Sequence, residues 1–598
     1  METTAEKRSI RGGEFLIKES QAADVFIREE FSEEQKMMAQ ATQDFIEKEI
    51  KPNIEKIEKQ EEGLMPSLME KAGELGLLGV SIPEEYGGLG MDFNTSMLIA
   101  DEIGATGSFS TAYGAHTGIG TLPILYYGNE EQKKKYLPKL ASGEWKSCYC
   151  LTEPDAGSDA NSGKTKATLT PDGKHYIING QKMWISNGGF ADMLIVFAKI
   201  DDDKKLTAFL VEKTYGGITM NDEEVKLGIK GSSTRQIFFN DCKVPVENML
   251  SERENGFKIA VNILNIGRIK LGAGVIGGCK EVISQSTNYS NERKQFNTPI
   301  SSFGAIKHKL AEMAIKTWVT ESAAYRAGQN IDDKIADLIG RGTDPAEAKL
   351  KSSEQFSVEC AIIKIHGSEM LDYVVDQGVQ IYGGMGFSEE APMARAYRDA
   401  RITRIYEGTN EINRMLMVGM IMKRAMKGEL NIMEPAMAVA KELVSVPSFE
   451  VPDLSKPFAE EKDVLKKLKK AVLMVAGKAA QTFGPKLEEE QEIMMNAADM
   501  MIEIYAAESA LLRAEKLVGM NGEEGAKLQV NAAKIYLYEA VEKINKAGRD
   551  AIASFTTGDE QKVMLMGLKR FTKINPVNIK QLRREIADHL ISKNQYAL

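Results

Sequence analysis

The spacing of apolar residues changes along the chain and divides it into helical and β-rich stretches. From Ser32 to about Lys139, apolar residues recur three and four positions apart, as on one face of a helix. Near Trp145 the pattern changes to short alternating or β-branched runs separated by Gly, Asn and Asp, which is typical of a small antiparallel β domain. Helical spacing returns at about Gly256 and continues to about Lys427. The predicted strands are His175 to Ile178, Met193 to Ile200, Leu206 to Lys213 and Gln236 to Asn240.

Prolines mark a further division between Glu429 and Phe458. Four of them predict a linker, because their spacing is incompatible with one continuous helix: Pro435, Pro447, Pro452 and Pro457. Beyond the linker, three long helical patterns broken at Gly484-Pro485 and Asn521-Gly522, and a last helix after Pro576, predict a separate helical region.

The fold class predicted is therefore α+β, mainly α. The predicted domains are an N-terminal helical domain (1–144), a central antiparallel β domain (145–255), a C-terminal four-helix bundle (256–428), a linker (429–458) and an appended helical domain (459–598).

Composition excludes several classes of function. The 598 residues carry a net charge of −10 without a long basic block, so no nucleic acid partner is expected. The five cysteines form no CxxC and the five histidines are scattered, so we predict no bound metal and a reducing compartment. The segment Met1 to Arg8 has no signal-peptide character, and no apolar run reaches a membrane span, which predicts a bacterial cytoplasmic location.

Glu407 is the candidate for the central chemistry. It lies between an aromatic residue and a Gly-Thr pair in Tyr406-Glu407-Gly408-Thr409. A carboxylate held at a helix edge in an apolar site can remove a weakly acidic C–H proton if burial raises its pKa towards neutrality. Most Glu residues are solvated, so this interpretation depends on segments elsewhere in the chain.

Three of these segments have both a structural and a cofactor interpretation. Tyr149 to Asp159 is either a turn joining two strands or a set of N–H and hydroxyl donors for an isoalloxazine or a phosphate. Trp184, in Trp184-Ile185-Ser186, is either a core residue or a wall against a flavin. The glycines of Gln380 to Phe387 either end a helix or let a backbone approach a pyrophosphate, beside Arg293 and Phe296.

Two apparent nucleotide motifs are rejected. Gly272 to Gly277 fits GxGxxG, but it lies inside a continuous helical pattern, where small residues instead allow another helix to approach closely. The segment Gly163-Lys164-Thr165 resembles the end of a phosphate loop, but Ser158 stands where that motif needs its first glycine.

Taken together, these segments resemble the acyl-CoA dehydrogenase family over roughly residues 35 to 425. The resemblance implies FAD between the β domain and the four-helix bundle, against a neighbouring subunit. It implies cofactor contacts at Tyr149, Leu151, Thr152, Gly157, Ser158, Trp184, Ile185, Ser186, Arg293, Phe296, Gln380, Ile381, Gly383, Gly384, Thr409 and Glu411. It implies substrate contacts at Ser158, Arg268, Tyr406, Gly408, Thr111, Gly114 and Ala115.

Some positions differ between this chain and parts of the family. Glu411 replaces a Gln of some members, and Gly304 stands where many have a Gln. Gly267 occupies the position from which some members supply the base, so the resemblance leaves Glu407 as the base. The small Thr111, Gly114 and Ala115 at the deep end of the acyl tunnel predict a preference for long acyl chains.

The implied reaction is α,β-dehydrogenation of an acyl-CoA to the trans-2-enoyl-CoA in fatty acid β-oxidation. Glu407 would take the α-proton and flavin N5 would accept the hydride. Electron transfer flavoprotein would then accept the electrons from the flavin. The segments Phe303 to Ile306 and Thr320 to Tyr325, together with the appended helices, resemble the very-long-chain subfamily, which implies a homodimer. The alternative is that the appended helices are a further bundle with no effect on assembly. Three alternatives remain: an acyl-CoA oxidase that uses oxygen, a non-enzymatic assembly factor, and weak peripheral membrane contact through the helix carrying Lys466, Lys467, Lys469 and Lys470.

Overall fold

The N-terminal quarter of the protein is a set of short helices. The computed structural model describes residues 10–445, 453 and 456–598. The predictions made for Met1 to Arg8, Pro447 and Pro452 therefore lie outside the described residues. The helices are α1 Glu33–Phe45, α2 Ile54–Glu58, α3 Leu64–Glu74, α4 Phe93–Ile103, α5 Ser108–Gly114, α6 Leu122–Tyr127 and α7 Glu130–Ser142. Ser32 starts α1 because its side chain accepts the Gln35 N–H while the Gln35 side chain accepts the Ser32 N–H.

The central sheet has eight strands, in the order β6-β7-β3-β2-β4-β5-β8 with β1 beside β4. The strands are β1 Ser147–Cys150, β2 Lys166–Leu169, β3 His175–Ser186, β4 Met193–Ile200, β5 Thr207–Glu212, β6 Ile218–Met220, β7 Thr234–Pro245 and β8 Met249–Leu250. Most neighbours are antiparallel, as predicted, but β4 pairs in parallel with both β1 and β2. These two parallel pairs are exceptions within a mainly antiparallel sheet, and β3 is longer than predicted because it continues through two register shifts.

A helical bundle built around one long helix follows the sheet. The bundle helices are α8 Gly256–Glu292, α9 Gly304–Gly340, α10 Pro345–Gln355, α11 Ser357–Tyr382, α12 Pro392–Ala400 and α13 Asn410–Met426. A two-residue hairpin, β9 Lys294–Gln295 with β10 Thr298–Pro299, separates α8 from α9. Helix α8 is apolar and long enough to cross a membrane, but 67% of its most apolar window is buried within the protein. It is therefore a core helix.

The glycine motif inside α8 has a packing role, as predicted. A Cβ atom at Gly272 would lie 2.5 Å from the Ile363 carbonyl oxygen, and one at Gly277 would collide with the Asp101 carbonyl oxygen. Only glycine allows α4 and α11 to approach α8 this closely.

The range expected to be a linker contains a helix. Helix α14, Met433–Val444, packs against the appended helices, so this part of the predicted linker is helical. Pro435 does not prevent the helix because it stands in the first turn, where its missing N–H has no intrahelical partner. The appended helices are α15 Ala459–Phe483, α16 Gln491–Gly525, α17 Lys527–Phe555, α18 Gly558–Phe571 and α19 Ile579–Lys593. The break between α17 and α18 was not predicted.

A buried charge cluster joins the appended helices to the bundle. We call it the Glu321 cluster. The Glu321 carboxylate on α9 lies 2.7 Å from Arg513 of α16, 2.7 Å from Lys280 of α8 and 3.0 Å from Arg28. Arg513 also lies 2.7 Å from Glu29. Three separate parts of the chain therefore share one carboxylate.

A second buried pair fixes α15 against the protein. Lys469 is buried and donates to Glu508 at 2.5 Å and to the Lys18 carbonyl oxygen at 2.8 Å. Lys470 pairs with Glu442 at 2.7 Å, and Leu465 of the same helix is buried. The lysine-flanked apolar face that the sequence offered to a membrane therefore faces the protein interior.

Candidate active site

Glu407 stands in a strained turn at the start of α13. Its φ is 59° and that of Gly408 is 80°, so two consecutive residues adopt left-handed backbone. Thr409 then starts the helix, because its hydroxyl accepts the Ile412 N–H at 3.2 Å. The turn projects the Glu407 side chain away from the helix axis and towards α8.

Three side chains hold the carbonyl groups of this turn. Arg268 donates to the Glu407 carbonyl oxygen at 3.2 Å, and Lys364 donates to the Gly408 carbonyl oxygen at 2.8 Å. Asn413 donates to the Gly408 carbonyl oxygen at 2.8 Å. Lys364 also donates to the Asn410 side chain at 2.7 Å. Charged donors make the stronger hydrogen bonds, so the strained backbone is fixed in one conformation.

The Glu407 carboxyl group is suited to exchanging a proton at neutral pH. Burial raises the pKa of Glu407 to about 7, although the nearby Arg268 and Lys364 cations oppose the shift. Within the described part of the chain, Glu407 Oε2 is buried and accepts no hydrogen bond. A general base is most effective when its pKa lies near the working pH.

Gly267 of α8 leaves the space that the carboxyl group occupies. A Cβ atom at Gly267 would lie 2.8 Å from Glu407 Oε2 and 2.9 Å from Oε1. Any side chain at residue 267 would therefore displace Glu407. The absence of a side chain also means that α8 supplies no alternative base at this position.

A cavity of about 1180 Å³ adjoins this site. Its lining includes Tyr406, Glu407, Gly267 and Ser186. Thr111, Gly114 and Ala115, the residues expected at the deep end of the acyl tunnel, line the same cavity. A Cβ atom at Gly114 would meet nothing within 4 Å, so the space beside it is open. The structure thus brings the expected acyl tunnel to the candidate base.

The segments expected to contact the flavin face are joined by backbone contacts. The Met183 N–H of β3 donates to the Thr152 carbonyl oxygen at 2.9 Å. Trp184 has a φ of 61° and is 55% exposed, which is unusual for a tryptophan in a strand. It is therefore not the core residue that the structural alternative supposed. An aromatic face presented in this way fits a planar cofactor ring.

Tyr149 links these segments to Glu407. Its ring is buried and packs edge-to-face on Phe197 at 5.0 Å. Burial, followed by electrostatic interaction with the Glu407 carboxylate, raises the pKa of the Tyr149 phenol. The Tyr149 hydroxyl is buried and has no hydrogen-bond partner among the described residues. Leu151 and Ile185 are buried, whereas Gly157 and Ser158 are exposed.

The residues expected at the adenine nucleotide end lie mainly on the protein surface. Arg293 and Phe296 belong to the hairpin after α8, and Phe296 is 90% exposed. Gln380 is exposed at the end of α11, Ile381 is buried, and Gly383 and Gly384 follow in an open turn. Glu411 is exposed at the start of α13. None of these residues lines the cavity beside Glu407, which fits the expectation that they serve a neighbouring subunit.

Sequence profiles of one family match four parts of the chain. The profile of the acyl-CoA dehydrogenase N-terminal domain matches residues 32–144, and that of the middle domain matches residues 148–242. Two different profiles of the acyl-CoA dehydrogenase C-terminal domain match residues 254–422 and 467–570. A Bacillus subtilis protein described as a probable acyl-CoA dehydrogenase is 44% identical, and the alignment covers 98% of each chain. This chain belongs to the acyl-CoA dehydrogenase family.

Two further members of the acyl-CoA dehydrogenase family are similar. The human mitochondrial very long-chain specific acyl-CoA dehydrogenase is 36% identical, over 82% of this chain and 71% of its own. A crystal structure of a Bacillus anthracis acyl-CoA dehydrogenase complexed with FAD has 45% identity and a TM-score of 0.96. The structural alignment covers 98% of this chain and 100% of the Bacillus anthracis chain. The similarity includes the appended helices.

Some residues of this acyl-CoA dehydrogenase site were not predicted from sequence. Lys364 and Asn413 hold the Glu407 turn, yet neither belongs to a recognisable motif. Lysine side chains are usually exposed, and nothing in the sequence around Lys364 indicated that this lysine is fully buried. The available signal was the run of apolar residues around it in α11, which predicts a helix buried on several sides.

We expect Lys364→Met to shift the pH dependence of this acyl-CoA dehydrogenase. The Lys364 cation favours the carboxylate form of Glu407, so its removal raises the pKa of Glu407. The acidic limb of kcat/KM should move to higher pH. Activity at pH 6 should fall by about tenfold for each pKa unit of that shift, with recovery near pH 9. Lys364→Arg keeps the charge and should retain the original limb. An equal loss at every pH would contradict this role.

Proposed function

We propose that this protein is a FAD-dependent acyl-CoA dehydrogenase of fatty acid β-oxidation that converts long-chain acyl-CoA to trans-2-enoyl-CoA. We further propose a bacterial cytoplasmic homodimer that passes electrons to electron transfer flavoprotein. The observation that supports this most is Glu407, with a pKa raised to about 7, at the wall of a cavity large enough for an acyl chain.

Glu407 would remove the α-proton of the thioester. Its free Oε2 would accept the proton, and the exclusion of water by a bound substrate would keep the carboxylate basic. The Glu407 backbone N–H would donate to the thioester oxygen and stabilise the negative charge that develops there, an effect typically of ~3–4 kcal/mol. Bound FAD would supply the acceptor for the β-hydrogen, which leaves as hydride.

Several described residues fit a flavin. Trp184 presents an exposed ring next to the buried Ile185 and to Ser186, which lines the cavity. The Tyr149 hydroxyl, buried near Glu407, lacks a partner among the described residues. The exposed Phe296 and Phe387 lie on the two elements expected to receive the adenine end, which supports a second subunit covering them.

The test is an anaerobic titration of the purified protein. Its visible spectrum should show bound oxidised flavin, and palmitoyl-CoA should bleach it. A colourless protein that takes up no FAD on reconstitution would contradict the proposal. Oxygen uptake at the rate of acyl-CoA turnover, without electron transfer flavoprotein, would instead identify an oxidase.

The chain-length preference has a test of its own at Gly114. A leucine there would fill open space in the tunnel, so we expect Gly114→Leu to lower kcat/KM for palmitoyl-CoA by at least about tenfold relative to hexanoyl-CoA. Each CH₂ group excluded from the cavity removes ~0.8 kcal/mol of binding free energy. Gly114→Ala, the smaller change, should show an intermediate ratio. An optimum at short chains in the unmodified protein would overturn the assignment.

A further inference from the structure

A chain of polar side chains connects the Glu407 turn to the appended helices. It begins at Lys364 of α11, whose ammonium group donates to the Gly408 carbonyl oxygen at 2.8 Å and to the Asn410 side-chain oxygen at 2.7 Å. Lys364 and Asn410 are both buried, and Asn410 is the first residue of α13. A cation that acts on the Glu407 carboxyl group is therefore held by an amide oxygen.

The Asn410 amide has a defined orientation. Its nitrogen donates to the Glu369 carboxylate at 3.0 Å and to the Ser368 hydroxyl at 3.0 Å. A carboxylate only accepts hydrogen bonds and an ammonium group only donates them, so Glu369 receives the amide NH₂ group and Lys364 receives the oxygen. A reversed amide would place two donors against each other. Glu369 therefore determines which end of Asn410 the lysine contacts.

An arginine connects Glu369 to the appended helices. Arg414 of α13 donates to both Glu369 carboxylate oxygens, at 2.7 and 3.0 Å. The Nε–H group of the same arginine donates to Asp499 of α16 at 2.7 Å. A two-oxygen contact of this kind fixes the plane of a carboxylate as well as its position. Asp499, a residue of the appended helices, therefore holds the guanidinium that orients Glu369.

The charges around Lys364 make its acceptor important for Glu407. Burial lowers the pKa of Lys364 to about 8. The carboxylates of Glu407, Glu369 and Glu411 oppose this shift, and the Arg268 cation adds to it. Because Lys364 titrates close to neutral pH, loss of its acceptor oxygen would favour the neutral amine. Arg268 alone would then stabilise the Glu407 carboxylate, and the pKa of Glu407 would rise.

We propose that Glu369, Arg414 and Asp499 are positioning residues for the Glu407 base, so that the appended helices help to set the protonation of the active site. This inference rests on the proposed dehydrogenase function. None of the three residues lines the substrate cavity, so they do not act by contacting the acyl chain. They act through the amide of Asn410, whose oxygen they keep directed at the lysine.

The test is the pH dependence of kcat/KM for palmitoyl-CoA in Glu369→Ala and Asp499→Asn. Loss of the orienting contacts should move the acidic limb to higher pH. Activity at pH 6 should fall by about tenfold in Glu369→Ala and by about threefold in Asp499→Asn, with recovery near pH 9. Glu369→Gln keeps an acceptor oxygen for Asn410 and should stay close to the original limb. If Glu369→Ala does not fold, Arg414→Lys, which cannot make the two-oxygen contact, should shift the limb in the same direction.

The direction of the shift distinguishes positioning from a simple loss of charge. Removing a nearby carboxylate without disturbing other groups would make the Glu407 carboxylate easier to form, and the limb would move to lower pH. A limb that is unchanged or lower in Glu369→Ala would overturn the proposal, and the same result in Asp499→Asn alone would overturn the role of the appended helices.

The matched control is Glu492→Gln, which removes an exposed carboxylate from the same helix α16. Its pH profile should equal that of the unmodified protein. Failure of palmitoyl-CoA to bleach the flavin of the unmodified protein would instead contradict the dehydrogenase function itself.

Discussion

Glu407→Gln should retain its flavin but lose the ability to have it reduced by substrate. We expect the rate of anaerobic bleaching by palmitoyl-CoA to fall by about 10²–10⁴-fold, the usual contribution of a positioned general base. The amide has the size of the carboxyl group, so the space beside Gly267 still accommodates it, but it cannot accept the α-proton. Stopped-flow absorbance of the flavin would measure the effect.

The matched control is Glu429→Gln, which removes an exposed carboxylate on the surface after α13. Its bleaching rate and flavin content should equal those of the unmodified protein. Normal bleaching in Glu407→Gln would remove Glu407 as the base. Loss of bound flavin in that variant would point to a structural role instead.

Glu321→Gln should be among the most destabilising single changes in the protein. Removing the Glu321 charge takes away the buried carboxylate that Arg513, Lys280 and Arg28 share. Asp101 stays beside Arg28 and Lys280, and Glu29 stays beside Arg513, so we expect a loss near the lower end of the about 3–5 kcal/mol that breaking a buried pair typically costs. Urea unfolding followed by tryptophan fluorescence would measure it. Trp318 is a local reporter, because the Arg513 guanidinium lies 4.9 Å from its ring.

The pH dependence of this effect has a definite sign. Burial alone would raise the pKa of Glu321, but Lys280, Arg513 and Arg28 outweigh it and hold the pKa well below its usual value. The stabilisation is therefore complete above the unfolded-state pKa of roughly 4.3 and is lost as pH falls through the folded-state pKa. The difference between the two proteins should shrink below about pH 4. Glu560→Gln, in a surface pair with Lys478, should change stability by no more than about 0.5 kcal/mol.

Periodicity predicted most of the secondary structure because the apolar faces are regular. The exceptions have local causes. Pro435 suggested a break, but a proline is tolerated in the first turn of α14. The parallel pairing of β1 and β2 with β4 depends on contacts between distant residues, which local patterns do not record.

The residues of the candidate site could be predicted where they belong to short continuous sequence motifs. Glu407, Trp184 and Ser186 stand in short characteristic segments, and Thr111, Gly114 and Ala115 were located through the resemblance alone. Lys364 was not predicted, because a lysine in a helical pattern looks like a solvated residue. Its burial follows from how α8 and α11 pack against each other, and that packing is visible only in three dimensions.

The Glu321 cluster makes the final helices inseparable from the rest of the molecule. A shortened protein ending near residue 427 would lose Arg513 and Glu508, and with them an opposite charge beside each of Glu321 and Arg326. Such a deletion would also uncover the apolar surface of α9 that contacts α16. A viable short relative must therefore have replaced several interior side chains together, rather than simply acquired an earlier stop codon.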